Sequence, residues 1–195
     1  MELILKRGLV PPRRIETRAS QTADLTCACR ALSWMETNPL FKSGDWVAPL
    51  LLPKKIQMFV KVPAFRKILS RIFGPKGIYP WVVARTKYID DWFLGAAQEG
   101  FTQVLILGAG FDSRSIRFAD ELADMRIFEL DAGTTQIIKT SQFKNRQVSF
   151  PENVTFIPVN FELESIMPKL EKAGFRRDAR TMLLMEAWLL PAPWY

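Results

Sequence analysis

Gln103-Val104-Leu105-Ile106-Leu107-Gly108-Ala109-Gly110-Phe111-Asp112 is the stretch that decides the fold. Its near-continuous apolar run suits a strand buried on both faces, as in a parallel sheet covered by helices. The two glycines that end the run let the backbone adopt dihedrals other residues resist and approach a ligand closely. Outward from it, Arg126-Ile127-Phe128-Glu129-Leu130-Asp131 reads as a second strand, Val154 to Asn160 as a third and Thr181 to Glu186 as a fourth. Helical patterns lie between them, from Ser113 to Leu122, about Thr134 to Phe143, and Leu163 to Ala173 with Gly174 as a stop. Strands alternating with helices predict an α/β fold with a parallel sheet and right-handed crossovers.

Before Gly100 the pattern is helical. Apolar positions from Ser20 to Met35 recur at helical spacing, Ser20 or Thr22 can cap the start, and Asn38-Pro39 stops the run. Phe65, Ile68, Leu69, Ile72 and Phe73 share one helical face with Arg66, Lys67 and Arg71 turned away, and Gly74-Pro75 and Gly77 close that helix. A further helix is expected from Pro80 to Gln98, ended by Gly100. The expected organisation is a helical region over residues 1–100 and a cofactor-binding half-domain over 101–195.

Composition narrows the chemistry. The 195 residues include 48% apolar ones, which describes a folded chain, neither disordered nor membrane-spanning. Histidine is absent, so a Ser-His-Asp or Cys-His nucleophilic site and any His-ligated metal are excluded. Cys27 and Cys29 are too few for a closed zinc site and too close for a Cys-x-x-Cys redox pair, so no metal is expected. They read as reduced thiols of a cytoplasmic protein. The opening Met1 to Arg14 has only a three-residue apolar run, Leu3 to Leu5, before Lys6 and predicts no targeting signal. Of the +7 net charge, residues 1–100 carry +8 and residues 101–195 carry −1. The split argues against a uniformly basic nucleic-acid binder, and no nucleic-acid partner is expected.

The turn after the first strand is a ligand-sized notch. Asp131, 21 positions beyond Gly110 and at the end of the second strand, can accept both hydroxyl protons of a ribose. The bland alternative is a tight turn with Asp131 capping the next helix. A nicotinamide dinucleotide needs a third glycine where Ser113 stands, so that a helix N-terminus can seat the pyrophosphate. S-adenosylmethionine has no pyrophosphate, and its sulfonium needs no histidine, metal or redox group.

Five ordered blocks make the pattern specific: Ala84 to Asp91, Gln103 to Arg114, Phe128 to Asp131, Asn153 to Glu162, and Ala173-Gly174-Phe175. Together they resemble the leucine carboxyl methyltransferase-like family over roughly Ser20 to Glu186. The resemblance implies a Rossmann-like S-adenosylmethionine-dependent methyltransferase. By it, Arg85 matches an arginine that pairs with the methionine carboxylate of the cofactor, a task suited to a guanidinium fork. Gly108, Ala109 and Gly110 match the turn under the cofactor and Asp131 the ribose-binding acid. Asn160 and Phe161 stand where relatives have an acid and an apolar residue near the adenine; the asparagine keeps an acceptor and adds donors. Glu186 matches a glutamate near the methionine end and the acceptor entrance, the one residue with a possible catalytic part. Arg85 as a surface arginine and Glu186 as a loop cap are the structural alternatives.

The resemblance also implies about seven strands, of which four are countable here, in the order 3-2-1-4. Ala187-Trp188-Leu189-Leu190-Pro191-Ala192-Pro193-Trp194-Tyr195 departs from the family pattern, so the expected sheet is incomplete. Its fourth strand would offer an open edge for self-association. The expected reaction is methyl transfer to an oxygen, foremost the carboxylate of a small molecule or protein. Two alternatives are a catalytically silent cofactor-binding fragment and a basic surface-binding module. The last is suggested by Trp46 to Ile89, with nine basic residues and no acid. A solvated helix face explains such charge as well.

Overall fold

A computed structural model describes residues 21–73 and 77–186. The expected Ser20 cap, the Gly74-Pro75 stop, the opening run to Arg14 and the stretch Ala187 to Tyr195 lie outside the described residues.

Four parallel strands form one sheet: β1 (Gln103–Leu107), β2 (Arg126–Asp131), β3 (Val154–Pro158) and β4 (Thr181–Met185). Their order is β3-β2-β1-β4, the one the family pattern implies. Register aligns the functional ends, with Leu107 beside Leu130 and Met185, and Asp131 beside Pro158. The strands therefore deliver the glycine turn, Asp131, Asn160 and Glu186 to one edge of the sheet. Parallel strands require crossovers, and helices supply much of them: α6 (Arg114–Arg117), α7 (Gly133–Lys144) and α8 (Ile166–Lys172).

The first crossover differs from expectation. The helix predicted from Ser113 to Leu122 stops after one turn at Arg117, and Phe118 leaves helical dihedrals at φ −113°, ψ 32°. Tertiary contacts override the local pattern here. Phe118 packs on Phe93 with ring centroids 6.1 Å apart. The Asn153 side chain takes the carbonyls of Leu122 and Met125 at 2.8 and 2.7 Å, fixing the rest of the segment as turns.

The preceding region folds as α1 (Gln21–Trp34), α2 (Ala48–Leu51), α3 (Lys54–Lys61), α4 (Pro63–Phe73) and α5 (Ile78–Ala97). Cys27, Cys29, Ala31, Leu32, Val47, Leu51, Val82 and Val83 share a core with Phe111 of the glycine turn and Phe143 of α7. A second core, around Phe93, Val104, Ile106, Leu122 and Met182, lies between α5 and the sheet. Phe128, Leu130, Ile157 and Leu170 fill the opposite face under α8. The helices thus sit directly over the turn that ends β1. The amphipathic pattern of α4 forms a helix as expected, but Phe65 and Ile68 on its apolar face are exposed rather than docked. No described helix is long and apolar enough to cross a membrane.

Candidate functional site

The turn after β1 needs its glycines. Gly108 and Gly110 have φ of +64° and +51°, the left-handed region that costs residues with a Cβ roughly 1–2 kcal/mol. They play different parts. A Cβ on Gly110 would come 3.2 Å from the Ala23 Cβ of α1, whereas a Cβ on Gly108 would meet nothing within 4 Å. Gly110 lets a helix close down on the turn, and Gly108 leaves open space above it.

Asp131 clips this turn to β2. Its Oδ2 accepts the Gly110 N–H at 2.5 Å and its Oδ1 the Ala132 N–H at 2.6 Å. The turn is also held by Ala109 N–H on the Leu130 carbonyl at 2.9 Å. Burial pushes the Asp131 carboxyl above its ordinary pKa, and the N–H groups of Gly110 and Ala132 pull against that shift. The Gly110 and Ala132 N–H groups and the Thr135 hydroxyl take three of the carboxylate's about four lone-pair sites, so one acceptor site remains. Ala132, not Asp131, is the N-cap residue of α7, so capping that helix is not the acid's main role.

On one side of Asp131 the chain opens into a groove of about 410 Å³, lined by Ala132, Gly133, Thr134, Pro158, Asn160 and Lys169 among others. Asn160 sits at its wall. The Asn160 Oδ1 accepts the Glu162 N–H at 3.1 Å, and the Asn160 N–H donates to Glu164 Oε2 at 2.7 Å, shaping the loop after β3. Phe161 is exposed beside it.

On the other side lies a charge cluster that sequence reasoning missed. Four guanidiniums and four carboxylates interleave: Arg30, Arg85, Arg114 and Arg117 with Asp45, Asp90, Asp112 and Glu186. Arg114 pairs with Asp112 at 2.6 Å and with Asp90 at 2.8 Å. Arg117 reaches Asp90 at 2.7 Å, and Arg30 reaches Asp45 at 2.5 Å and the Phe111 carbonyl at 2.7 Å. Ser113 is the hub. Its hydroxyl donates to Asp45 at 2.8 Å and accepts from Arg117 Nε at 2.9 Å, which accounts for a serine where a dinucleotide site has glycine. Burial alone would raise the Asp112 carboxyl, but Arg114, Lys139 and Arg30 overcome it and hold the carboxyl at about 2. Asp45 is likewise held below its ordinary value, by Arg30 and Arg117 against burial.

Arg85 and Glu186, chosen from sequence, meet in this cluster. Arg85 Nη2 lies 3.1 Å from Glu186 Oε2, and its guanidinium stacks 4.4 Å over the Trp81 ring. Arg114 Nη1 is 2.6 Å from Glu186 Oε1, yet the pair lacks hydrogen-bond alignment, so that buried oxygen and the buried Arg85 Nε both lack hydrogen-bond partners. Buried polar atoms without hydrogen-bond partners are uncommon, and two on the members of one ion pair mark a place where a polar ligand would be welcome.

Beneath the turn, Glu129 in the middle of β2 is also buried. It pairs with Lys139 of α7 and accepts the Ser115 hydroxyl at 2.6 Å. This triad fastens two crossover helices to the sheet. No group of three or more metal-ligating side chains occurs among the described residues.

The structure therefore brings Gly108, Ala109, Gly110 and Asp131 together, sets Asn160 and Phe161 beside the adjoining groove, and places Arg85 with Glu186 beyond Asp112. Signals for the missed residues existed: Asp90 is the first acid after the acid-free stretch, and Arg114 and Arg117 share a helical face just after Asp112.

Residues 24–190 match the family model described as leucine carboxyl methyltransferase. A protein of Mycolicibacterium gilvum is 33% identical over 114 residues, which are 58% of this chain and 45% of that protein. Bacillus subtilis YktD is 27% identical over 178 residues, covering 83% of this chain and 58% of its own length. A Frankia alni protein is 34% identical over 113 residues, 57% of this chain and 38% of its own. Each is named "Putative S-adenosyl-L-methionine-dependent methyltransferase". The chain spans about half the length of the curated relatives it matches.

Proposed function

Because the chain belongs to the leucine carboxyl methyltransferase family, we propose that it seats S-adenosylmethionine over the Gly108–Gly110 turn and serves methyl transfer to a carboxylate oxygen. The carrying observation is the glycine turn itself, clipped to a buried acid and open above Gly108. The residues present fit the cofactor. Asp131 has one acceptor site left for a ribose hydroxyl. The unpartnered Arg85 Nε can donate to the methionine carboxylate while Arg114 keeps Glu186 in place beside the methionine end. Since the cluster is balanced, an amino acid zwitterion adds no net charge to it. Asn160 and Phe161 flank the adenine in this reading.

When bound, the cofactor supplies an electrophilic methyl on a sulfonium. The chain's residues bind and orient it and exclude water. An acceptor carboxylate oxygen would take that methyl as the carbon–sulfur bond breaks, giving a methyl ester and a thioether. The acceptor is already ionised at pH 7, so no proton moves and no general base is needed, in keeping with a chain without histidine. Positioning and desolvation carry the rate. Glu186 acts by position, not by proton transfer.

A second reading is a chain that holds the cofactor without turnover. A cytoplasmic location belongs to the same proposal. Its support is that Cys27 and Cys29 are buried free thiols, pushed up by burial to about 12. Incubation with methyl-tritiated cofactor and peptides bearing a free terminal carboxylate separates the readings. Alkali-labile, volatile tritium supports carboxyl transfer, alkali-stable tritium refutes it, and cofactor retention without transfer supports the second reading.

A further inference from the structure

Residues 53–68 are almost wholly exposed. Lys54–Lys61 and Pro63–Phe73 make two helices joined at Val62, and over 53–68 only Val60 is buried. Ile56, Met58, Phe59, Val62, Phe65 and Ile68 are each between 40% and 70% exposed. Phe59 and Phe65 stack on one another across the joint, ring centroids 4.7 Å apart, so the apolar side chains form one patch rather than scattered residues. Lys54, Lys55, Lys61, Arg66 and Lys67 alternate with these residues along the two helices, and no acid occurs anywhere from Trp46 to Ile89.

We propose that this helical hairpin docks on an anionic lipid bilayer, with Met58, Phe59, Val62, Phe65 and Ile68 entering the headgroup boundary and the lysines meeting lipid phosphates and carboxylates. Exposed apolar side chains ringed by cations are what an interfacial helix needs. An acid-free surface of this kind is complementary in charge to a bilayer rich in anionic headgroups. A second copy of the chain suits it poorly: a two-fold contact would set five cations against the same five. The proposal is independent of the cofactor reading and is tested without cofactor.

The test is cosedimentation of the whole chain with vesicles of phosphatidylcholine containing about one third phosphatidylserine, the anionic fraction that gives basic residues their attraction. Binding is expected at about 0.1 M salt and several-fold weaker at about 0.5 M, where screening is short-ranged. Lys54→Gln with Lys55→Gln should weaken it at least tenfold, at about fivefold per charge. Lys172→Gln with Arg177→Gln, the same charge loss outside these two helices, should leave it within about twofold. Met58→Ser with Ile68→Ser changes only exposed side chains and should cost about tenfold while far-UV circular dichroism stays that of the parent. The proposal is overturned by no vesicle binding, by equal binding to pure phosphatidylcholine, or by equal losses from the two charge pairs. A dimer in light scattering that Met58→Ser abolishes, with no vesicle binding, would assign the patch to a second copy instead.

Discussion

Gly108→Ala separates a glycine kept for a ligand from one kept for packing. At φ +64° an alanine is strained by roughly 1–2 kcal/mol, and this is the whole expected loss of stability because the new methyl touches nothing within 4 Å. Gly110→Ala carries the same dihedral strain at φ +51° and in addition sets its methyl 3.2 Å from Ala23. Either α1 or the turn must then shift by a few tenths of an ångström, which should bring the loss to roughly 2–4 kcal/mol. Ligand affinity should reverse the order of interest. The Gly108 methyl fills the space proposed for the cofactor and should weaken S-adenosylhomocysteine at least tenfold, about 1.4 kcal/mol, in a folded protein. Urea denaturation measures the first quantity and titration calorimetry the second. Unchanged affinity of Gly108→Ala would remove the open space from the site. Equal destabilisation by the two substitutions would contradict the packing role of Gly110.

Arg85→Lys should lose most of the cofactor affinity gained from the methionine carboxylate, since an ammonium cannot reproduce the planar fork. A cofactor analogue without the carboxylate should be nearly insensitive to the change, and simple additivity of the two losses would separate Arg85 from that group. Asp112, held at about 2 against an ordinary 3.8, contributes stability above pH 4 that is lost as pH falls towards 2, about 2 kcal/mol in all. Asp112→Asn should flatten that acid limb in denaturation measured from pH 5 to about 2, and an unaltered limb would show that the pairing contributes nothing. Lys139→Met strands the buried Glu129 carboxylate and should cost about 3–5 kcal/mol, most of it recovered by adding Glu129→Leu. Calorimetric unfolding of both variants checks this, and a double variant no better than the single one would refute it.

The sheet was legible because its signals are local. Four short, largely apolar runs, the first closed by glycine and the others by Asp131, Asn160 and Glu186, match the strands to within two residues. Asp131 was legible for the same reason, as an acid at the end of a run. The first crossover was not, since nothing between Ser113 and Met125 reveals that Asn153 will take the Leu122 and Met125 carbonyls. The charge cluster was hidden by distance along the chain: Ser113 and Asp45 are 68 residues apart and share no periodicity. Phe65 and Ile68 of α4, both exposed, show the converse failure. Helical spacing predicts a stripe, but whether a core covers that stripe depends on the rest of the fold.

The account stands most directly on whether the turn between β1 and Asp131 holds a nucleoside with one ribose and no pyrophosphate. Titrating the chain with S-adenosylhomocysteine, with NAD, and again after Asp131→Ala measures this. The account predicts one-to-one binding of S-adenosylhomocysteine, weakened by about 1–3 kcal/mol in the folded variant, and no binding of NAD. NAD binding of comparable strength, or an affinity untouched by Asp131→Ala, would contradict it.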